Sequence, residues 1–479
     1  MVRTPRRRPR PLPLDPAYGL ALARLFQRRR FGMHPGLEVM AGLLGELGEP
    51  QRSFPAVHVA GSKGKGSVSA FVARVLSGAG GPTGLYTSPH LVSYRERIQV
   101  DGVPIAPEAV VSELAEVEAA GHRIAARGGS WREPTFFEAT TALGFLHFQR
   151  AQVRDAAIEV GLGGEFDATN VLEAPVGVLT TIEYEHTEIL GPTLTDVARA
   201  KAGILHRGMR AVVGESKPEP LREIERRADR VGVPLWRLGR EIQVTDRTID
   251  EKAQRITVLT PHREHARLAL PLLGTFQARN AALAVAALDL FSEGTGRSLP
   301  ERAVREGLAK VAWRGRLERL AGRPTLYVDV AHTPESARAL AESLGEIAPF
   351  LEPNENAVLF GCLRGKRVEE MLDTLSTLAR TVVVVPIRSE RTAEVGELKR
   401  AAFGRFPRII VAPSSETGLA LARAATAPGG FTLVTGSDYL VGEVIAAVEG
   451  TGLIEPDLSD PLLRTPGREG APPPGTEGA

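Results

Sequence analysis

Short apolar runs alternate along this chain with stretches in which hydrophobic positions recur every three or four residues. The first clear run, Ala56 to Ala60, reads as a buried strand. Gly61, Gly64 and Gly66 follow. From Ser67 the residues Val68, Phe71, Val72, Val75 and Leu76 keep helical spacing until Gly78, Gly80 and Gly81 end it. The runs AAIEVGLGG (156–164) and VGVLTTI (176–182) are also short, and each passes into glycine or polar residues. Buried parallel strands read this way when a ligand site lies beyond their carboxyl ends. A long helical pattern, TFQARNAALAVAALDLF (275–291), closes this part.

After Arg316 the rhythm restarts. TLYVDV (325–330), AVLFG (357–361), TVVVVP (381–386), RIIVAP (408–413) and FTLVTG (431–436) are strand candidates. Helical patterns separate them, around 334–347, 367–379, 395–404, 416–426 and 438–449. The pattern predicts an α/β chain with a second, smaller doubly wound unit, joined to the first near KVAWRGRLERL (310–320).

With 479 residues the chain is long enough for two or three cores. Its formal net charge of +2 gives no global sign of nucleic acid or an acidic membrane as partner. Cys362 is the sole cysteine, which excludes an internal disulfide and a cysteine-cluster metal site. No apolar run approaches bilayer-spanning length. The start, MVRTPRRRPRPLPLDP, has no apolar segment for secretion and reads as a flexible basic arm over 1–16. The end is proline- and glycine-rich and reads as a disordered tail over 461–479. A cytoplasmic protein is expected.

A strand that turns through Gly61, Gly64 and Gly66 into a helix points free backbone N–H groups at one spot, and Lys65 adds positive charge there. The strict phosphate-loop spacing is not met. It would place a glycine at Val59, and the hydroxyl, Ser67, comes one residue late. Residue pattern alone leaves a phosphate cradle beside a glycine-rich turn with a solvated lysine. It also leaves an energy-coupled enzyme beside a nucleotide-dependent switch.

Four further groups stand past strand-like runs or in loops: Ser88 in LYTSPH, Glu159 at the end of AAIEV, His186 after TTIEYE, and Lys201 in LTDVARAKAGIL. Oxygen-rich ligation of this kind suits Mg²⁺. A carboxylate inside an apolar strand must be paired or bound to a cation, which singles out Glu159. Ser88 could instead cap the turn before Pro89, and His186 could be an ordinary satisfied histidine. Thr193 and Asp196 form a capping-box-like helix start, and the stripe Leu194, Val197, Lys201, Leu205 puts the lysine on the apolar face. There it snorkels outward, pairs with an acid, or becomes a carbamate that offers oxygen to a metal.

HVAGSKGKGS, GLYTSPHL, RERIQVDG, TFFEATTALGFLHF, IEVGLGGEFDATNV, EHTEILGPTLTDVARAKAGIL, GTFQARNAALAVAAL, WRGRLE, DVAHTPESARAL and TGSDYLVGEV follow one another from about residue 30 to residue 446. In that order they resemble the folylpolyglutamate synthase/dihydrofolate synthase branch of the Mur ligase family. The resemblance implies an N-terminal P-loop-type ATPase domain with a mainly parallel sheet, over 17–309, which binds ATP and the acceptor. It implies a smaller C-terminal Rossmann-like α/β domain, the glutamate-ligase unit, over 310–460. The implied reaction joins L-glutamate to dihydropteroate, to folates, or to both, through an acyl phosphate. A Mur-type paralogue with another carboxylate acceptor and a non-catalytic ATP-binding regulator are the alternatives. A cytoplasmic monomer is implied, with no nucleic acid or membrane partner.

Carried onto this chain, the resemblance gives Gly61, Gly64, Lys65, Gly66 and Ser67 to the ATP phosphates, with Asn280, Arg316, Asp329 and His332 completing the nucleotide site. Ser88 and Glu159 would ligate one Mg²⁺, and Glu159, His186 and a carbamylated Lys201 a second. Lys65, Glu159, His186, Lys201 and Arg316 would carry catalysis. Thr135, Phe136, Phe137 and Glu138, with Phe166, Asp167 and Ala168, match segments that line the pterin-bearing substrate. The chain departs from the family pattern at several places. Ser62 and Lys63 replace threonine and asparagine in the loop, Glu185 replaces aspartate, and Thr333 replaces asparagine. Phe276 stands where histidine is common, and Glu165 replaces an arginine beside the substrate segment, a reversal expected to matter if that site is desolvated.

Overall fold

Ala56–Ala60 carries five residues without access to solvent, which only a strand covered on both faces allows. In the computed structural model, which describes residues 15–28, 34, 36–250, 252–347 and 352–451, it is the middle of an eight-stranded sheet. The spatial order is Val103–Pro104, Ile98–Val100, Thr83–Tyr86, Asp155–Glu159, Ala56–Ala60, Val176–Leu179, Arg210–Val213 and Leu235–Arg237. The last six strands in that order run parallel, and the first two form an antiparallel edge. Alternate residues feed two cores. Ala56, Ala156, Ile158, Leu179 and Val213 face one side, while Val57, Val59, Ala157, Val178 and Val212 face the other.

The chain leaves Ala60 between a neighbour that returns from one side and a neighbour that returns from the other. That is a switch point, where strand ends open a crevice. The helix after the loop runs Lys65–Gly78, two residues longer at its start than the apolar spacing indicated. Its first positions carry glycine and lysine rather than core residues, so periodicity could not mark them. Behind it packs the long helix Thr275–Thr295, buried over most of its length.

A three-stranded antiparallel sheet, Gln243–Ile249, Gln254–Leu259 and Glu264–Leu270, was not expected. Its outer strand is half-exposed throughout, so its polar residues masked the alternation. The second large sheet orders Glu318–Leu320, Thr325–Val328, Phe431–Thr435, Ala357–Phe360, Thr381–Val384 and Arg408–Val411. It is parallel except for the short first strand, and five of its strands are those the sequence indicates. Both sheets with their helices make the expected α/β class. Among the described residues no helix is long and apolar enough to cross a membrane. The basic arm, apart from its last two residues, and the tail lie outside the described residues.

Candidate active site

The loop after Ala60 is shaped by what its glycines touch. Gly61 has φ +141°, and a Cβ there would run into Thr180 Oγ1. Gly64, at φ +91°, lies against the side chain of Asn280 and starts the helix in a left-handed conformation. Lys65 is the first helical residue. Its ammonium folds back onto the carbonyl oxygen of Gly61 at 2.9 Å, with that of Ser62 at 3.4 Å. Behind the loop, Gln277 donates to the Ser67 hydroxyl at 3.2 Å and accepts from Asn280 at 3.1 Å. Asn280 and Ser67 are therefore tied to one scaffold with the loop.

Glu159 ends the neighbouring strand and is 4% exposed. Its Oε2 accepts the Ser88 N–H at 3.0 Å. Burial pushes its carboxyl up to about 7, against the pull of Lys65, the Ser88 N–H and Arg316. No salt bridge compensates it within the chain's described contacts, so it is an acid with room for a cation. His186 adopts φ +48° and caps the short helix Thr187–Leu190, with Nδ1 4.0 Å from Glu188. Burial holds its imidazole below the ordinary histidine range, with the charges of Lys201 and Lys65 acting in the same direction.

Lys201 sits where the stripe put it. The capping box closes as expected, with Asp196 N–H on Thr193 Oγ1 at 3.1 Å and Thr193 N–H on Asp196 Oδ2 at 3.2 Å. Lys201 is 2% exposed and pairs with an acid: Nζ is 2.6 Å from Glu185 Oε1 and 2.9 Å from the Gly61 carbonyl oxygen. Its partner, Glu185, is the residue that stands where the resemblance leads to an aspartate. Burial pushes the Glu185 carboxyl up, but Lys201, Lys65 and Lys63 together outweigh it and leave it well below the usual carboxylate range. The ammonium of Lys201 is in turn held below its ordinary value, first by burial and despite Glu185.

Across the crevice stand residues of the second sheet. Asp329 follows the strand Thr325–Val328 and accepts N–H groups from Leu317 at 2.8 Å and Ala331 at 2.9 Å. Burial raises it to about 6, with Arg316 opposing. His332 donates Nδ1–H to the Val330 carbonyl at 2.9 Å, so its Nε2 accepts from Lys63 at 3.1 Å. Lys63 and burial hold His332 well below its ordinary range, hence neutral. Lys63, expected only as an extra loop cation, thus joins the phosphate loop to the opposite wall. Thr333 accepts the Ser336 N–H at 3.2 Å, capping the next helix.

The two segments expected to line the substrate divide by exposure. Thr135 and Glu138 close a capping box, and Arg132 holds Glu138 with two hydrogen bonds of 2.7 and 2.9 Å. Phe136 and Phe137 are buried, and so are Asp167 and Ala168. Asp167 spends its carboxylate on the N–H groups of Gly161, Leu162 and Thr169 and on the Thr169 hydroxyl. Phe166 is 58% exposed, and Glu165 beside it is exposed as well, so solvent screens the charge reversal. Sequence reasoning passed over Lys366, Ser437 and Asp438, which line a cavity with His332. The quoted segment TGSDYLVGEV held two of them, but nothing in its spacing marked a role. Among the described residues no three His, Cys, Asp or Glu side chains converge on one point, and the contact of Ser88 with Glu159 is made by its backbone N–H.

Residues 59–288 match the Mur ligase middle domain, and residues 315–438 match the Mur ligase, glutamate ligase domain. The dihydrofolate synthase/folylpolyglutamate synthase of Bacillus subtilis is 34% identical over 76% of this chain and 84% of its own length. That of Mycobacterium tuberculosis is 36% identical over 78% of each chain. Among solved structures, Mycobacterium tuberculosis folylpolyglutamate synthase complexed with ADP superposes with a TM-score of 0.81 at 33% identity, over 89% of this chain and 99% of that one. Escherichia coli FolC in complex with DHPP and ADP gives 0.78 at 30% identity, over 90% and 97%.

Proposed function

The chain belongs to the folylpolyglutamate synthase/dihydrofolate synthase family of Mur ligases, and from that premise we propose how its residues divide the work. It is an ATP-dependent ligase that joins L-glutamate to dihydropteroate or to folates through an acyl phosphate. The acceptor carboxylate attacks the γ-phosphorus, the bond to the β-phosphate oxygen breaks, and ADP leaves with the electron pair. The glutamate nitrogen then adds to the acyl carbon, inorganic phosphate leaves, and the nitrogen gives up its proton to form the amide.

The loop from Gly61 to Ser67, which leads into the helix at Lys65, would hold the phosphates with its N–H groups, and Lys65 and Arg316, whose charges both act on the Glu159 carboxyl, would meet the γ-phosphate. Asn280, Asp329 and His332 complete the nucleotide site. The single observation that carries this reading is Glu159, a carboxylate 4% exposed and raised to about 7 beside that loop. A divalent cation fits there. Mg²⁺, when bound, supplies charge neutralisation on the transferring phosphoryl group. Ser88 and Glu159 would hold one ion, and Glu159, His186 and a carbamate on Lys201 would hold the second. Carbamylation takes a neutral amine, adds its nitrogen to CO₂ and releases a proton, which the depressed Lys201 favours. It also ends the pair with Glu185. Residues 17–309 and 310–460 act as the two walls, and their closure excludes water that would hydrolyse the acyl phosphate.

The test is glutamate-dependent ADP release, stimulated by dihydropteroate or tetrahydrofolate, with hydroxylamine trapping the acyl phosphate. No trapped species from either acceptor overturns the reading. For Lys201, ¹³CO₂ with nucleotide and Mg²⁺ should give a carbamate carbon resonance that the Lys201→Gln protein lacks.

A further inference from the structure

Arg97 lies in RERIQVDG, a segment the chemistry above leaves unused. It is 0% exposed. Its Nε–H donates to His90 Nδ1 at 2.8 Å, which fixes that imidazole neutral with its proton on Nε2. Among the described residues neither Nη1 nor Nη2 has a hydrogen-bond partner. The guanidinium lies over Phe136, with Cζ 5.5 Å from the ring centroid. Its own backbone is tied to the opposite corner: the Arg97 carbonyl accepts the Thr87 N–H at 3.0 Å, one residue before Ser88, whose N–H rests on Glu159. The charge of Arg97 is among those felt by the Glu159 carboxyl.

A guanidinium cannot shed its charge, and burying it with both terminal nitrogens unmatched is a standing cost that a stacked phenylalanine only partly offsets. Nearby, the chain would have been cheaper to fold with an apolar residue. A group kept at such cost beside a reaction centre is one that awaits an anion. We propose that Arg97 binds the reacting carboxylate of the acceptor, gripping it with its two terminal N–H groups between Phe136 and the Ser88–Glu159 corner. The proposal rests on the ligase reading above and deepens it.

Paired donors on one planar fork match a carboxylate. While one carboxylate oxygen attacks the γ-phosphorus, the other stays on Arg97. After ADP has left, that second oxygen is the acyl carbonyl. When the glutamate nitrogen adds to the acyl carbon, the oxygen takes up the negative charge, and it returns the pair as the C–O bond to phosphate breaks and phosphate leaves. A fixed cation at that oxygen stabilises both steps.

The experiment compares dihydropteroate with the same pterin–aniline lacking its carboxylate, by calorimetry on the full chain with a non-hydrolysable ATP analogue. The wild type should bind the carboxylate form at least about tenfold tighter. Arg97→Met should bind the two equally, keep its ATP affinity within about twofold, and melt no lower than wild type. Arg97→Lys, which keeps charge without the paired donors, is the second variant and should lose most of the preference. A variant that loses both ligands by one factor places Arg97 behind His90 or Phe136 and overturns the proposal. An unchanged preference overturns it too, and either result leaves ligase activity standing. Wild type that binds ATP but neither pterin instead removes the acceptor assignment on which the proposal rests.

Discussion

Lys65 and Lys201 aim their ammonium groups at one carbonyl oxygen, that of Gly61, each from 2.9 Å. Two cations this close repel, and Glu185 on Lys201 is the nearest compensation. On the reading proposed for this loop, a bound phosphate would relieve that repulsion. Lys65→Met should therefore lower kcat by about 10² to 10³ while leaving the melting temperature unchanged or higher. Steady-state ADP release and thermal melting check the two halves.

Glu185→Gln takes the anion from a lysine that is 2% exposed. The uncompensated ammonium should cost about 3 kcal/mol, read from urea unfolding. Lys201→Met in the same background should recover most of it, because removing both charges removes the penalty.

Asp329 gives a pH dependence of definite sign. Burial raises its carboxyl to about 6 from an ordinary 3.8. The stabilising contribution of the protonated form is complete below about pH 4 and is lost as pH rises through the folded-state value. Asp329→Asn should hence gain on the wild type by up to about 3 kcal/mol between about pH 4 and pH 7. Equal slopes of unfolding free energy against pH would remove this account.

Lys63 keeps His332 neutral across the crevice. In Lys63→Met the imidazole should titrate closer to its ordinary range, visible as an upward move of its midpoint in proton–nitrogen NMR. The wild-type imidazole should titrate well below the ordinary histidine range, first because of Lys63 and then because of burial.

Gly61 has no room for a side chain, since a Cβ would meet Thr180 Oγ1 at a φ of +141°. Gly61→Ala should cost about 2 to 4 kcal/mol by chemical denaturation, and Thr180→Ser should not rescue it, because the hydroxyl remains.

Parts of the site were legible because they are local. Glu159 stands in an apolar strand run, and one carboxylate among hydrophobic neighbours signals itself. The Thr193–Asp196 box and the stripe through Lys201 follow from helical spacing; the box closes and Val197 and Lys201 share the buried face, while Leu205 falls beyond the helix, which ends at Ala202. The three-stranded sheet was not legible, because Gln243–Ile249 is half-exposed and its polar residues hide the period. Glu165 was legible as a reversed charge but not as an exposed one.

By itself the sequence determined the alternating architecture, the glycine turn, and which residue types stand at strand ends, since each depends on neighbours within a few positions. The tertiary structure decided the pairings: Lys201 with Glu185, Lys63 with His332, and Arg97 with His90, its terminal nitrogens unpartnered among the described residues. These partners lie from 7 to 269 residues apart, and whether a buried charge meets an acid, a neutral ring or nothing is set by how the walls pack. Burial strips water from every such group, so the electrostatics of the site belong to the folded chain alone.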